Sequence, residues 1–529
     1  MKDKEKNKRS LARRLKHAVI YVATQRTVVI LALVAQIVLI CYMFLALQRY
    51  STKMVIIFQV IAGITAVHVL NTSKKAEFKL GWLVPMVIFP IFTVAIYFYL
   101  SNQYGARVVR NRFAKKAAET QQFLKQDKEV ISKLKAEDGE VYRYACYMNN
   151  YAGFPVWQDT SVKFFPSGEE KLGTLKRELE KAKYYIFIEM FIVDRGTLWD
   201  ELFEILRRKA EEGLDIRFIY DGMGSQHLLP FGYHRKLTEL GIKTRVFQPF
   251  LPMLSSIQNN RDHRKIIVID GHTGFTGGDN IADEYVNRIE RFGYWKDTSV
   301  MLKGKAVWNL TMMFLQMWEV TDPKGKAGSY ELYLPDKYTD DPDVTPREGF
   351  VLPFGDCPLD GEDVGAVSYM HILTTATEYC YISTPYLILN EELLGALCYA
   401  AKRGVDVRVI VPGIPDKWYV KVMGESFFTQ LKRAGVRIYE YNGFNHAKMF
   451  VSDDRKAIVG TINLDYRSLY LHFENGCYMY GVPAIADIRR DFEDMFANST
   501  RELSLENCEQ RPLKRRMASA LLKTLEPLL

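Results

Sequence analysis

The sequence predicts an α/β protein: two similar αβ half-domains packed around one central active site, preceded by transmembrane α-helices. Three observations predict it. The spacing His-x-Lys-x-x-x-x-Asp occurs twice, as His263, Lys265 and Asp270 and again as His446, Lys448 and Asp453, in a chain with only nine His. Around each copy the same order of β-branched runs and amphipathic stretches recurs, and the first hundred residues carry long apolar runs. A duplicated spacing of chemically capable residues is far rarer by chance than a single one.

Taken in order, residues 1–27 form a tail with nine Lys and Arg before position 27, which the charge rule for membrane loops keeps cytoplasmic. Residues 28–100 form a membrane region of two or three helices. Val28 to Leu47 and Trp82 to Leu100 are each about the 20 apolar residues a bilayer crossing needs. Met54 to Leu70 is shorter and contains Gln59 and His68, so the region reads as three spans, or as two with a re-entrant or interfacial piece. His68 reads as a residue near a helix end. Three crossings from a cytoplasmic tail place the rest of the chain outside, whereas the Arg and Lys that follow Leu100 and the unpaired Cys favour the cytoplasm. The sequence leaves both sides open.

Residues 101–150 are a charged connector rich in helix formers, and two halves follow at 151–330 and 331–529. In the first, Tyr184 to Phe191 reads as a strand, Leu198 to Glu212 as an amphipathic helix and Leu214 to Tyr220 as a strand. The second repeats this with Tyr379 to Tyr386, Glu391 to Arg403 and Val405 to Val411. Alternating strands and helices imply βαβ units and mainly parallel sheets. Thr321 to Gly349, polar with Pro and Gly, reads as an exposed loop between the halves. The second half ends in a basic amphipathic helix, Arg511 to Leu529, which either lies on an anionic surface or docks on the protein.

Composition narrows the function. At 48% hydrophobic and 25% charged the chain has the balance of a folded protein, not a disordered one. The seven Cys are scattered, without the Cys-x-x-Cys or Cys/His spacing of a zinc site, so they read as free thiols and no metal is expected. An excess of 71 Lys and Arg over 62 Asp and Glu fits an anionic partner.

His263 to Asp270 and His446 to Asp453 are apolar in the middle, so each should be a strand that puts its His and Lys on one face. Each is followed by small residues and an Asn: Gly277, Gly278 and Asn280, then Gly460, Thr461 and Asn463. Small residues there would let backbone N–H groups approach an anion. Two His, two Lys and two Asn converging between the halves would make a phosphate site. It could neutralise a phosphodiester and protonate its leaving alkoxide without a metal. One imidazole must be neutral to attack and the other protonated to act as acid, and a carboxylate on the second ring nitrogen can set each state. Asp297 and Glu474 fall at matching points and are the candidates for that role. Asp270 and Asp453, at the strand ends, fit structural ties as well as chemical participants. His17, His227, His234, His272, His371 and His472 lack such partners and read as structural or peripheral.

At these residues the chain resembles the phospholipase D superfamily, with its two HKD motifs, and within it the bacterial cardiolipin synthases. The blocks EEGLDIRFIYDGMGS, NNRDHRKIIVIDG with GGDNIADEY, GFNHAKMFVSDD and VGTINLDYRS carry the likeness. Two departures are Asn445, where the family more often has an apolar residue, and His472, where it often has Asn. The resemblance implies two phospholipase D-like halves that exchange a phosphatidyl group reversibly between two phosphatidylglycerol molecules, giving cardiolipin and glycerol. It ranks Asp270 and Asp453 with the catalytic residues, makes His263 the nucleophile by the usual family assignment and His446 the acid and base, and gives Lys265, Lys448, Asn280 and Asn463 the phosphoryl oxygens. It implies no cofactor, no nucleic-acid partner and a multi-pass protein of the cell membrane. Rival readings are the same chemistry with another acceptor alcohol or water, and a lipid-binding scaffold.

Overall fold

The computed structural model describes residues 52–72, 75–101, 104–225, 227–249, 256–321, 330–334 and 348–523, with isolated positions between 38 and 46. The chain divides into two compact units, one of residues 1–106 with 250–258 and one of residues 107–249 with 259–529.

In the first unit, three helices, α1 (Thr52–Leu70), α2 (Ala76–Ile88) and α3 (Pro90–Ser101), pack on one another. Their shared core is small: Val69, Met86 and Tyr97, flanked by Ala66, Trp82 and Leu83. Ile64, Val67, Val84, Val87 and Ile88 are exposed instead, an apolar exterior unusual for a domain in water. The run read as one span from Trp82 to Leu100 is interrupted at Phe89, between Pro85 and Pro90. A proline ring has no N–H to give and crowds the preceding turn, and Pro90 instead takes the first position of α3, where no donor is needed. His68 stands in the last turn of α1, edge-on to Tyr97. Val28 to Leu47 lies outside the described residues except for the isolated positions. Among the described residues no helix is long and apolar enough to cross a membrane.

Helices α4 (Tyr104–Thr120), α5 (Lys128–Glu137) and α6 (Gly139–Tyr147) follow. Asp127 and Asp138 cap the last two by accepting N–H bonds in the first turn, at 2.8 Å from Glu129 and 2.9 Å from Glu140. The first half then builds a seven-stranded sheet in the order β1-β8-β6-β5-β2-β3-β4. Its strands are β1 (Thr160–Phe165), β2 (Tyr185–Met190), β3 (Asp215–Asp221), β4 (Lys243–Phe247), β5 (Ile266–Ile269), β6 (Thr273–Gly277) and β8 (Ser299–Gly304), with the short β7 (Tyr294–Lys296) outside it. The second half repeats the order as β9-β16-β15-β14-β10-β11-β12-β17. These are β9 (Phe350–Asp356), β10 (Tyr379–Ser383), β11 (Asp406–Pro412), β12 (Arg437–Tyr441), β14 (Met449–Ser452), β15 (Lys456–Gly460), β16 (Glu474–Tyr480) and β17 (Thr500–Glu502), with β13 (Gly443–Asn445) paired to β7.

The sheets are mixed, not mainly parallel. Among the described residues of the two large sheets, only β2/β3, β3/β4 and their counterparts β10/β11 and β11/β12 run parallel. The motif strands β5 and β14 return antiparallel to β2 and β10, then fold into hairpins with β6 and β15. The hairpin turns carry Asp270 and Gly271 at φ +49° and +70°, and Asp453 and Asp454 at +53°. Helix α7 (Thr197–Glu211), continuous with the predicted one, buries Leu198, Trp199, Leu202 and Leu206 on the first sheet. Its counterpart α9 (Glu391–Lys402) does the same through Leu393, Leu394 and Leu397.

Two helices tie the halves together. Between them in sequence α8 (Val307–Thr321) is buried along almost its whole length and packs on β2, β5 and β6 of its own sheet and on β9 of the other. Reciprocally, α11 (Ala484–Asp494) reaches from β14 and β15 to β1. Of the predicted loop 321–349, much lies outside the described residues, but Tyr330 and Tyr333 are buried, not exposed. The C-terminal helix α12 (Leu513–Lys523) docks on α10 (Trp418–Ala434), burying Ser519, and leaves Leu513, Met517 and Leu521 exposed along one stripe.

Candidate active site

The two motif segments meet through exchanged backbone pairs. Asp262 bridges Phe473, and the His263 N–H donates to the Phe473 carbonyl at 2.8 Å. On the other side β13 pairs with β7, and the His446 N–H donates to the Lys296 carbonyl at 2.7 Å. Each imidazole therefore enters beside the other half's carboxylate. His263 Nδ1 lies 2.9 Å from both oxygens of Glu474, and His446 Nδ1 lies 2.6 Å from Asp297 Oδ2. The two predicted His-orienting carboxylates meet imidazoles, but with partners exchanged between halves.

His and Lys of each motif precede their strands, which begin only at Ile266 and Met449. In this extended approach Lys265 Nζ donates to the His263 carbonyl at 2.7 Å, and Lys448 Nζ donates to the His446 carbonyl while lying 2.8 Å from His446 Nδ1. Nδ1 has one proton to give and the carboxylate is nearer, so we assign Nδ1–H to Asp297. By the same logic His263 gives its Nδ1–H to Glu474. Both Nε2 lone pairs are then free for chemistry.

Both imidazoles are 7% exposed. Burial first, then the ammonium groups of Lys265 and Lys448, hold both well below the ordinary histidine range, so each is neutral at rest. Burial lowers Lys265 to about 7 and Lys448 to about 8, and raises Asp297 to about 6. An arriving phosphodiester anion would offset the ammonium charges and let one imidazole carry a proton.

The halves hold their carboxylates differently. Glu474 accepts from Thr461 Oγ1 and, at 2.7 Å, from Ser468 Oγ. Asp297 Oδ1 accepts the Thr298 N–H at 3.0 Å, and where Thr461 stands in the second half the first has Gly278. A Cβ at Gly278 would lie 2.0 Å from Asp297 Oδ1. This corrects the expectation that these small residues free backbone N–H groups for an anion. The Gly278 N–H donates to the Thr298 carbonyl at 3.0 Å and that of Thr461 to the Asn475 carbonyl at 2.9 Å, so neither is free. The glycines instead make room for a neighbouring strand and its carboxylate.

Asn280 is buried beside the imidazole wall, accepting the Ile192 N–H at 2.9 Å and donating at 2.7 Å to Tyr285, whose ring stands edge-on to His446. Asn463 is buried with its carbonyl oxygen unpartnered among the described residues. Asp270 accepts the N–H groups of Lys183, Tyr184 and Tyr185 at 2.7 to 2.8 Å, and Asp453 those of Thr377, Glu378 and Tyr379 at 2.8 to 3.0 Å. Both tie the far ends of the motif strands to neighbouring backbone N–H groups. Asn445 is fully buried and bonded to Ser383, so its departure from the apolar family preference is matched by a partner.

Sequence reasoning missed three features here. His472, read as peripheral, has its ring 5.7 Å from that of His263, with Nδ1 3.7 Å from Glu474 Oε1. The signal was present: residues two apart on an extended segment share a face, so His472 and Glu474 point the same way. Glu189 is fully buried beside Asp262 and Arg264, and burial raises both carboxyls, Asp262 to about 7. Arg261 is buried against Asp221 at 2.8 Å, fixing the backbone just before His263.

A family profile described as the phospholipase D-like domain of cardiolipin synthase matches residues 175–318 and 369–496. A cardiolipin synthase of Geobacillus kaustophilus is 33% identical over 511 residues, 94% of this chain and 99% of that one. Another, of a Geobacillus strain, is 35% identical over 86% of this chain and 90% of that one. An uncharacterized protein of Streptococcus mutans is 41% identical over 88% of this chain and 99% of that one. Among solved structures, phosphatidylserine synthase of Haemophilus influenzae superposes with a TM-score of 0.55 at 18% identity, over 74% of this chain and 98% of that one, a likeness of fold.

Proposed function

Because the chain belongs to the cardiolipin synthases with phospholipase D-like domains, we propose that its paired imidazoles transfer a phosphatidyl group between two phosphatidylglycerol molecules. The observation that carries this reading is the exchange of carboxylates, which leaves two neutral imidazoles with free Nε2 atoms in one site. In the first step His263 Nε2 attacks phosphorus, the P–O bond to the headgroup glycerol breaks, and His446, protonated once the anion is bound, gives its proton to the departing oxygen. Glu474 and Asp297 hold each ring in the tautomer this requires and stabilise the imidazolium that forms. In the second step His446 removes the proton of a headgroup hydroxyl on another phosphatidylglycerol, whose oxygen attacks the phosphatidyl-histidine and frees His263. Lys265 and Lys448 neutralise the phosphoryl oxygens, with Asn280 and Asn463 alongside. The sequence is reversible, since both bonds made and broken are phosphodiester-like.

A membrane setting supports the same reading. The apolar exterior of α1 to α3 fits a lipid surrounding, and the exposed stripe Leu513, Met517 and Leu521, flanked by Lys514, Arg515 and Arg516, fits an anionic bilayer surface. A multi-pass protein of the cell membrane would meet both substrates in two dimensions.

The test is product formation by the full chain reconstituted in phosphatidylglycerol vesicles without added metal. Cardiolipin and glycerol in equal amounts support the reading. Phosphatidic acid alone, or product only after another alcohol is supplied, would replace it with hydrolysis or transfer to a different acceptor.

A further inference from the structure

We infer that His263, His472 and Glu474 together form a binding site for a transition-metal dication such as Zn2+, and that occupancy switches the enzyme off. One ligand atom from each residue can be chosen so that all lie within 4.8 Å of one another. Two separations are fixed more closely: 2.9 Å from His263 Nδ1 to Glu474 and 3.7 Å from His472 Nδ1 to Glu474 Oε1. Ligand atoms on a tetrahedral zinc, with bonds of about 2.0 to 2.2 Å, sit about 3.5 Å apart, so small rotations of the rings bring all three to one ion. Two imidazoles and a carboxylate suit zinc, nickel or copper and are a poor match for magnesium, which takes oxygen ligands.

A second observation points to a ligand at this place. Both ring nitrogens of His472 are buried and have no hydrogen-bond partner among the described residues, Glu474 at 3.7 Å being too far for a bond. A buried imidazole in this state gains from any group that takes its lone pair. Thr461 and Ser468 fix the Glu474 carboxylate from behind, the kind of support that orients a ligating oxygen. Lys265 and Lys448 oppose a dication and hold the affinity below that of a structural zinc site.

The consequence for turnover follows from the tautomer. His263 at rest carries its proton on Nδ1 and presents Nε2 as a lone pair. A metal on Nδ1 takes that position, the proton moves to Nε2, and no charge is lost from the ring. The lone pair that would attack phosphorus is then gone. Metal binding itself does not depend on the proposed function, whereas inhibition rests on His263 being a reacting group.

The test uses the full chain in vesicles or detergent, with Co2+ as a spectroscopic stand-in and Zn2+ as inhibitor. Wild type should show the visible d–d absorption of a low-coordinate Co2+ site, removed by chelator and displaced by Zn2+. In His472→Asn that band should be lost. The Zn2+ concentration that halves its own metal-free rate should rise by at least about tenfold, the scale on which loss of a ligand's support weakens metal sites. Mg2+ should be without effect on either protein. Absence of the band in wild type, or an equal band and equal Zn2+ sensitivity in His472→Asn, would overturn the inference. Should His472→Asn lose all turnover, the Co2+ band decides alone, with circular dichroism confirming the fold and His472→Ala as the second variant. A Co2+ band without inhibition would leave the site standing and reject His263 as the attacking group.

Discussion

Glu474 is bonded to His263 and Asp297 to His446, so each carboxylate acts on the chemistry of the half it does not belong to. Glu474→Gln and Asp297→Asn should each lower kcat by about 10^3 to 10^4-fold, the loss seen when the carboxylate that sets an active imidazole's tautomer becomes an amide. Steady-state rates in vesicles check this. Asp270 belongs to another class: it satisfies three backbone N–H groups. Asp270→Ala should destabilise by about 2 to 3 kcal/mol, read as a lower Tm, with kcat per folded molecule near wild type. The repeated spacing makes the motif residues stand out, but it does not distinguish His263 and Lys265 from Asp270, which satisfies backbone N–H groups. A strand carries its two ends to opposite edges of a sheet, and spacing alone does not say which end faces the site.

Between β6 and β8 the critical feature is the absence of a side chain. Gly278 lies so close to Asp297 that Gly278→Ala must push the carboxylate off His446. We expect at least about 10^2-fold loss of kcat with little change in Tm, and a Tm that falls in step with activity would contradict a local effect. The strands and helices flanking the motifs were legible because apolar period and turn residues agree with their final burial. Their pairing was less so. The βαβ order suggested parallel sheets, but β5 and β14 close hairpins through Asp270, Gly271, Asp453 and Asp454 in left-handed conformations, which only turn chemistry could reveal. Nor does local pattern show β7 pairing with β13 or Asp262 with Phe473, since both are contacts between distant segments of chain.

The whole molecule concentrates neutral imidazoles in its interior. His371, stacked on Tyr144, is lowered to about 3 by burial, and His263 and His446 are held well below the usual value. Unfolded, these groups bind protons near pH 6.5, whereas the folded protein binds them only at lower pH. The His371 contribution is therefore complete above about 6.5 and is lost as pH drops from there toward 3, while the buried carboxyls of Asp262 and Asp297, raised to about 7 and 6, contribute in the opposite sense. In thermal melts between pH 8 and 4, the Tm of wild type relative to His371→Asn should fall on the acid side, and a difference that does not change with pH would contradict the neutral buried imidazole. Activity has an alkaline limit for the opposite reason: Lys265 and Lys448 lose their charge through about 7 and 8, so kcat/KM should fall as pH rises across that window. A kcat/KM that rose with pH there would remove the ammonium groups from phosphate binding.

The most direct test of two imidazoles from opposite halves sharing one phosphorus atom is a rapid denaturing quench at neutral pH during turnover of labelled phosphatidylglycerol. Peptide mapping then locates the label in wild type, His263→Ala and His446→Ala. The account predicts label on the wild-type peptide containing His263, none on that containing His446, none in His263→Ala and no cardiolipin from either variant. Equal label on both peptides, or wild-type turnover by either variant, would contradict it.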